Sequence, residues 1–170
     1  MSTSSVSSAS AAEARAASDP LRGQNTDQRM QEFKRSPDPW ADAARMKFGG
    51  DRTLASQLQT LILDADPSQY PALEKRLLDA LKRPDLGDQG RDFIVRMLAL
   101  IGSAASVPVL VPMLERPDTS DAARYALEMI PGPEADAALN AARARLTGAA
   151  LEGLLGTLRA REARRSGVLA

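Results

Sequence analysis

The sequence predicts an all-α chain, a superhelix of about three to four helix pairs behind a disordered N-terminal tail. Three observations predict it. Apolar residues recur at three- and four-residue spacings from residue 51 onward, and no segment alternates with the period of two that marks a half-buried strand. Pro and Gly punctuate these stretches as helix breakers. Helix-sized segments also correspond at a separation of 28 to 29 residues, the mark of an internal repeat.

Residues 1–37 read as the tail. Ser and Ala dominate its first eighteen positions and Phe33 is its only aromatic. Such a segment buries too little apolar area to offset the entropy lost on ordering. The Ala-rich stretch 11–17 favours transient helix at most. The tail is either a flexible tether or a leader without a role of its own.

Residues 38–50 predict an N-terminal capping helix. Asp38 suits the cap and Pro39 the first helical position. Trp40, Ala44 and Phe48 fall four apart and share one face, and Gly49-Gly50 stops the helix. The Trp40 stripe reads as a lid over the end of the repeats, with ligand stacking on Trp40 as the sharper alternative.

The repeat domain spans residues 51–170. Leu54, Leu58, Leu61 and Ile62 predict a helix ending near Ala65, and Asp66-Pro67 restarts the chain. Leu73, Leu77, Leu78 and Leu81 repeat the pattern until Arg83-Pro84 ends it. Phe93, Ile94, Met97, Leu98 and Ile101 form the next apolar face, closed by Gly102. Residues 106–114 carry a β-branched run, but Pro112 excludes a paired central strand. Pro108 suits a helix start there, with Pro112 kinking its first turns. Asp118, Thr119 and Ser120 offer caps for a helix through Ala123, Ala126, Leu127 and Ile130, ended by Pro131-Gly132-Pro133. Ala138, Leu139 and Ala142 then face inward, and Thr147-Gly148 breaks again. Leu151, Leu154, Leu155 and Leu158 predict the next helix, and a further one starts at Ala163.

Self-comparison sets the period. Val95 to Ala99 and Ala123 to Leu127 are 28 apart and match in type; Ile101 and Ile130, like Leu110 and Leu139, are 29 apart. The strings running from Leu98 through Gly102 to Leu110 and from Ala122 through Arg124-Tyr125-Ala126-Leu127 to Glu128 resemble HEAT repeats. They are especially similar to those of bacterial HEAT-repeat proteins, where an "ARYALE" first helix follows a "VPxL" second helix. The resemblance to this armadillo-like α-solenoid family covers residues 51–170 and is strongest from Phe93 to Leu158. It implies stacked helix pairs, each covering its neighbour's apolar stripe, and a protein-binding role. The last unit departs from the pattern by stopping early in its second helix.

Composition narrows the chemistry. The 170 residues contain neither Cys nor His, which excludes a thiolate nucleophile, an imidazole base and zinc sites of Cys/His type. No Ca²⁺-loop or P-loop motif is present. The paired carboxylates Asp64/Asp66 and Asp85/Asp88 read as helix caps. We therefore expect no enzyme, no metal and no cofactor. Lys plus Arg equal Asp plus Glu at 22 each, so nothing draws the chain toward nucleic acid or an anionic membrane.

The expected site is a partner-binding one. Arg96 and Arg124 share a register; they either line a groove for acidic peptide or pair locally with Asp92, Asp121 or Glu128. Glu115, Asn140 and Arg143, with Pro112, fall on second helices and would line an inner face. Six arginines and two glutamates after residue 136 make a basic end beside an acidic body, which suits a solvated face, self-association through open solenoid ends or capture of an acidic partner. The function expected is a non-enzymatic scaffold or adaptor for a protein partner. The alternatives are a HEAT-like lyase or chaperone subunit acting on a partner, and a regulatory fragment of a larger enzyme. With no signal peptide or spanning segment as written, the expected compartment is cytoplasmic, or periplasmic if the start is misassigned.

Overall fold

The computed structural model describes residues 36–50 and 52–167, and every regular element among them is helical. The expected tail therefore lies, except for Ser36 and Pro37, outside the described residues.

The first helix, α1 (Pro39–Ala44), begins as its sequence dictates. The Asp38 carboxylate accepts from the Ala41 N–H at 3.0 Å, and Pro39 occupies the first turn, where a missing N–H costs nothing. Phe48 does not continue its face. It is 88% exposed in the following turn, whereas Trp40 and Ala44 are buried. The helix stops early because its last carbonyls are taken by another helix. The N–H of Gly87 reaches the Ala44 carbonyl at 2.8 Å and that of Gly90 reaches Met46 at 3.1 Å. Both donors belong to the start of α4 (Asp88–Ile101), so the negative end of α1 meets the positive end of α4. The approach needs glycine: a Cβ on Gly90 would stand 1.9 Å from the Ala44 oxygen, and one on Gly87 2.1 Å from that of Met46.

Between them lie α2 (Thr53–Leu63) and α3 (Tyr70–Leu81). Asp66 starts the second of these through a capping box, accepting from the Ser68 N–H at 2.8 Å while its own N–H donates to Gln69 Oε1 at 3.2 Å. The helix α1, expected to cover the end of the repeats, packs against α2, α3 and α4 together.

Residues 104–115 differ from the expected kinked helix. A 3₁₀ turn, Ala104–Ser106, leads into α5 (Val107–Leu110), which tightens into a second 3₁₀ stretch, Val111–Glu115. Pro112 has no N–H to give the Pro108 carbonyl, and its ring crowds that oxygen, so an α ladder cannot cross the pair. The helix α6 (Ser120–Met129) follows. The hydroxyl expected to cap it, Thr119 Oγ1, donates to the Met113 carbonyl at 2.8 Å instead. Gly132, at φ 103°, turns the chain into α7 (Pro133–Arg143).

The last helix is longer than expected. Ala163 does not begin a new segment; it lies within α8 (Gly148–Arg165), because nothing breaks the ladder before Ser166 and Gly167, whose φ is 72°. No second helix follows α8 among the described residues.

Alternate helices touch in succession, α2 on α4, α4 on α6 and α6 on α8, while α5 and its 3₁₀ extension touch α7. The interior is aliphatic. Leu58, Leu77, Leu98, Leu110, Leu127, Leu139 and Leu154 are fully buried. Each stabilises by about 1.5–3 kcal/mol relative to exposure. Ala123, Ala126, Ala135 and Ala142 are also fully buried and let helix backbones approach closely.

Candidate protein-binding surface

The expected arginine ladder is broken at its second rung. Arg124 donates to Asp121 at 2.6 Å, one turn away on α6, and its guanidinium lies against Gly153 of α8, where a Cβ would meet Nε at 2.8 Å. Arg96 on α4 is exposed and forms no ion pair among the described residues, although Asp92 stands one turn before it. Of the second-helix residues, Glu115 accepts from Arg145 at 2.7 Å, and the Asn140 amide donates to the Asp136 carbonyl at 2.8 Å. Arg143 and Pro112 are exposed, and Arg143 has no charged partner among the described residues.

The basic end is largely neutralised within the molecule. Arg145 pairs with Glu115, Arg164 with Glu128, Arg165 with both Asp136 and Glu162, and Arg161 with Asp136. Arg161 is buried, which overturns a wholly solvated reading of this cluster. The Arg161 guanidinium holds the Asp136 carboxyl below the usual carboxylate range despite some desolvation. At the other end Asp85, flanked by Arg83 and Arg45 at 2.9 and 2.6 Å, is lowered further by hydrogen bonds from both.

What remains open lies on the α2–α4–α6 side. A groove of about 360 Å³ runs between these helices. Its floor is Ala55, Phe93 and Met97; Leu100 and Tyr125 form its far rim, and Arg52, Ser56, Gln59 and Arg96 supply polar groups. No carboxylate lines it. Arg52, like Arg96, forms no ion pair among the described residues. A smaller cleft of about 280 Å³ shares Arg52 and is lined also by Lys47 and Phe48. The large apolar side chains exposed among the described residues are Phe48, Leu63, Leu100, Tyr125 and Met129. Four of these sit on α2, α4 and α6, and the fifth on the turn leading to α2. Leu63 and Met129 lie one helical turn beyond Gln59 and Tyr125, extending the rim.

Sequence reasoning found Arg96 but missed Arg52, Tyr125 and Leu100. The available signal was apolar residues at helix positions outside the buried stripe: Leu100 and Tyr125 each break the polar face of their own helix.

Trp40 does not offer a stacking platform. It is buried, and the Arg76 guanidinium carbon stands 6.0 Å from its ring centroid, within cation–π range. Its indole N–H has no acceptor among the described residues. No group of three carboxylates suited to a metal ion occurs among the described residues, and none of their helices is long and apolar enough to cross a membrane.

In comparison with known proteins, no family model matches this chain, and no curated protein or solved structure matches it either.

Proposed function

We propose that this chain is a HEAT-type α-solenoid acting as a non-enzymatic scaffold or adaptor that binds a protein partner. The reading rests on the repeat of 28 to 29 residues together with the successive packing of α2, α4, α6 and α8. Such stacking leaves long faces available for macromolecular contact and requires no cofactor. The observation that carries it is the placement of exposed apolar side chains. Leu63, Leu100, Tyr125 and Met129 lie on the successively packed helices α2, α4 and α6, and contact with a partner removes them from water.

A photo-crosslinking residue placed at Leu100 and, separately, at Arg143 tests the reading in cells that make the protein. A discrete protein adduct from at least one position is expected, identified by mass spectrometry. Absence of any protein adduct from both positions, with the chain folded and abundant, overturns it.

A further inference from the structure

We infer that the α2–α4–α6 groove is a docking site for an acidic, apolar-anchored peptide segment of another protein, an assignment that rests on the scaffold reading above. Charge complementarity selects the occupant. Arg52 and Arg96 both line the groove, neither is neutralised among the described residues, and the lining contains no carboxylate. Two nearby acids are committed elsewhere, Asp121 to Arg124 and Glu128 to Arg164, while Asp92, one turn before Arg96, forms no ion pair with it among the described residues. Arginines in this state favour planar carboxylates, to which they donate paired hydrogen bonds.

Beside these arginines the lining carries apolar side chains along with Ser56 and Gln59. Phe93 and Met97 form the floor, and Leu100 and Tyr125 are 44% and 47% exposed at the rim. A simple anion would leave that surface wet, whereas a peptide bearing Leu or Phe beside Asp or Glu covers both parts. Tyr125 supplies what an interface anchor needs, a large ring with a polar tip. Its neighbour Arg124 cannot serve, since Asp121 and α8 hold it away from the groove.

The test selects displayed random peptides on the full chain and measures synthetic copies of the enriched sequences by fluorescence anisotropy. Enriched peptides are expected to combine Asp or Glu with Leu or Phe. Arg52→Glu, Arg96→Glu and Tyr125→Ala should each weaken them by about tenfold or more, the scale of losing an interface anchor. Arg159→Glu, on the exposed surface of α8 and outside the groove lining, should leave binding unchanged. All four side chains are at least partly exposed, and circular dichroism verifies that each variant folds. Four results overturn the assignment: no enrichment; enriched peptides without acidic residues; affinity indifferent to Arg52→Glu and Arg96→Glu; or equal affinity after Leu and Phe are replaced by Ser. Tighter binding of a single-stranded oligonucleotide at the same arginines also overturns it. So does a dimer in sedimentation that these variants dissociate, because a second copy then occupies the groove. A partner crosslinked only from Arg143 removes this assignment and leaves the scaffold reading standing; absence of any crosslinked partner removes both.

Discussion

The Arg161 guanidinium lies 2.6 Å from the Asp136 carboxylate and, with its other nitrogens, closes the end of α6. Nη1 donates to the carbonyls of Leu127, Glu128 and Ile130 at 2.7, 2.9 and 2.6 Å, and Nη2 donates to Gly132 at 3.1 Å. The Leu127 and Glu128 carbonyls belong to the last turn of α6, where a helix leaves its acceptors unpaired and the dipole favours a cation; Ile130 caps that end and Gly132 precedes α7. One side chain of α8 thus joins the end of α6 to the first turn of α7.

Arg161→Met should therefore destabilise strongly. It keeps most of the aliphatic volume but leaves the Leu127 and Ile130 carbonyls without this donor and Asp136 with only the exposed Arg165. A loss of about 3 kcal/mol is expected, the scale of breaking a buried charged pair by removing one member. Urea unfolding followed by circular dichroism reads it. A loss below about 1 kcal/mol, typical of an exposed pair, would show that the contact contributes little.

The same pair gives stability a pH dependence. Asp136 is lowered in the folded state, so the unfolded chain binds its proton first as the pH falls. Its contribution is fully present above the unfolded value of about 3.9 and is lost as the pH drops through the lowered folded value. Asp136→Asn should be less stable than the parent at neutral pH and should flatten the decline in stability below about pH 4. Denaturation midpoints measured across that range check the difference in slope.

Glu74 is a second buried polar tie. It is 5% exposed on α3 and accepts from the Ser103 N–H, the Ser103 hydroxyl and the Ser106 hydroxyl at 2.7, 2.8 and 2.6 Å. Glu74→Leu removes the acceptor from all three donors, leaving the buried Ser106 hydroxyl orphaned while water reaches exposed Ser103, and should cost about 2 kcal/mol in chemical denaturation. Glu74→Gln keeps one acceptor oxygen and should cost less than half of that. Equal losses for the two variants would mean that the hydrogen bonds are not what holds α3 to this turn.

Two glycines should respond in opposite directions to Ala. Gly90→Ala drives a methyl into the Ala44 carbonyl and must push α1 away from α4. A cost of about 3 kcal/mol is expected from overpacking, with a red shift of Trp40 fluorescence because α1 carries that ring. Gly156, inside α8, has nothing near a new Cβ. Gly156→Ala should stabilise by about 0.5–1 kcal/mol through helix propensity. Thermal melts of the two variants in parallel give the contrast.

Much of the helical order was legible because its signals are local. The Asp38 and Asp66 caps, the Arg83-Pro84 stop and the Gly132 turn act within a few residues of themselves. Leu98, Leu127 and Leu139 were legible as core because helical spacing places them on one stripe. Local signals failed where distant groups compete. Phe48 has the right spacing for α1, but Gly87 and Gly90, some forty residues away, take the carbonyls that would have continued the helix. Thr119 has the chemistry of a cap but finds the Met113 carbonyl.

The sequence by itself determined that the described residues are helical, where most helices begin and end, and most of the residues that face inward, since backbone hydrogen bonding and amphipathic spacing operate over one or two turns; in α8 it named Leu151, Leu154, Leu155 and Leu158, of which only Leu154 is buried, beside Thr157 and Arg161. Only the tertiary structure decided the fate of the charges. Arg96 and Arg124 are equivalent in register, yet one opens onto a groove and the other is closed against Asp121 and Gly153. Arg143 and Arg161 belong to one basic cluster, yet one is solvated and the other is buried at a helix end. A guanidinium's role depends on which acceptors the packing brings within about 3 Å, and those acceptors lie on other helices, 25 to 34 residues away for Arg161.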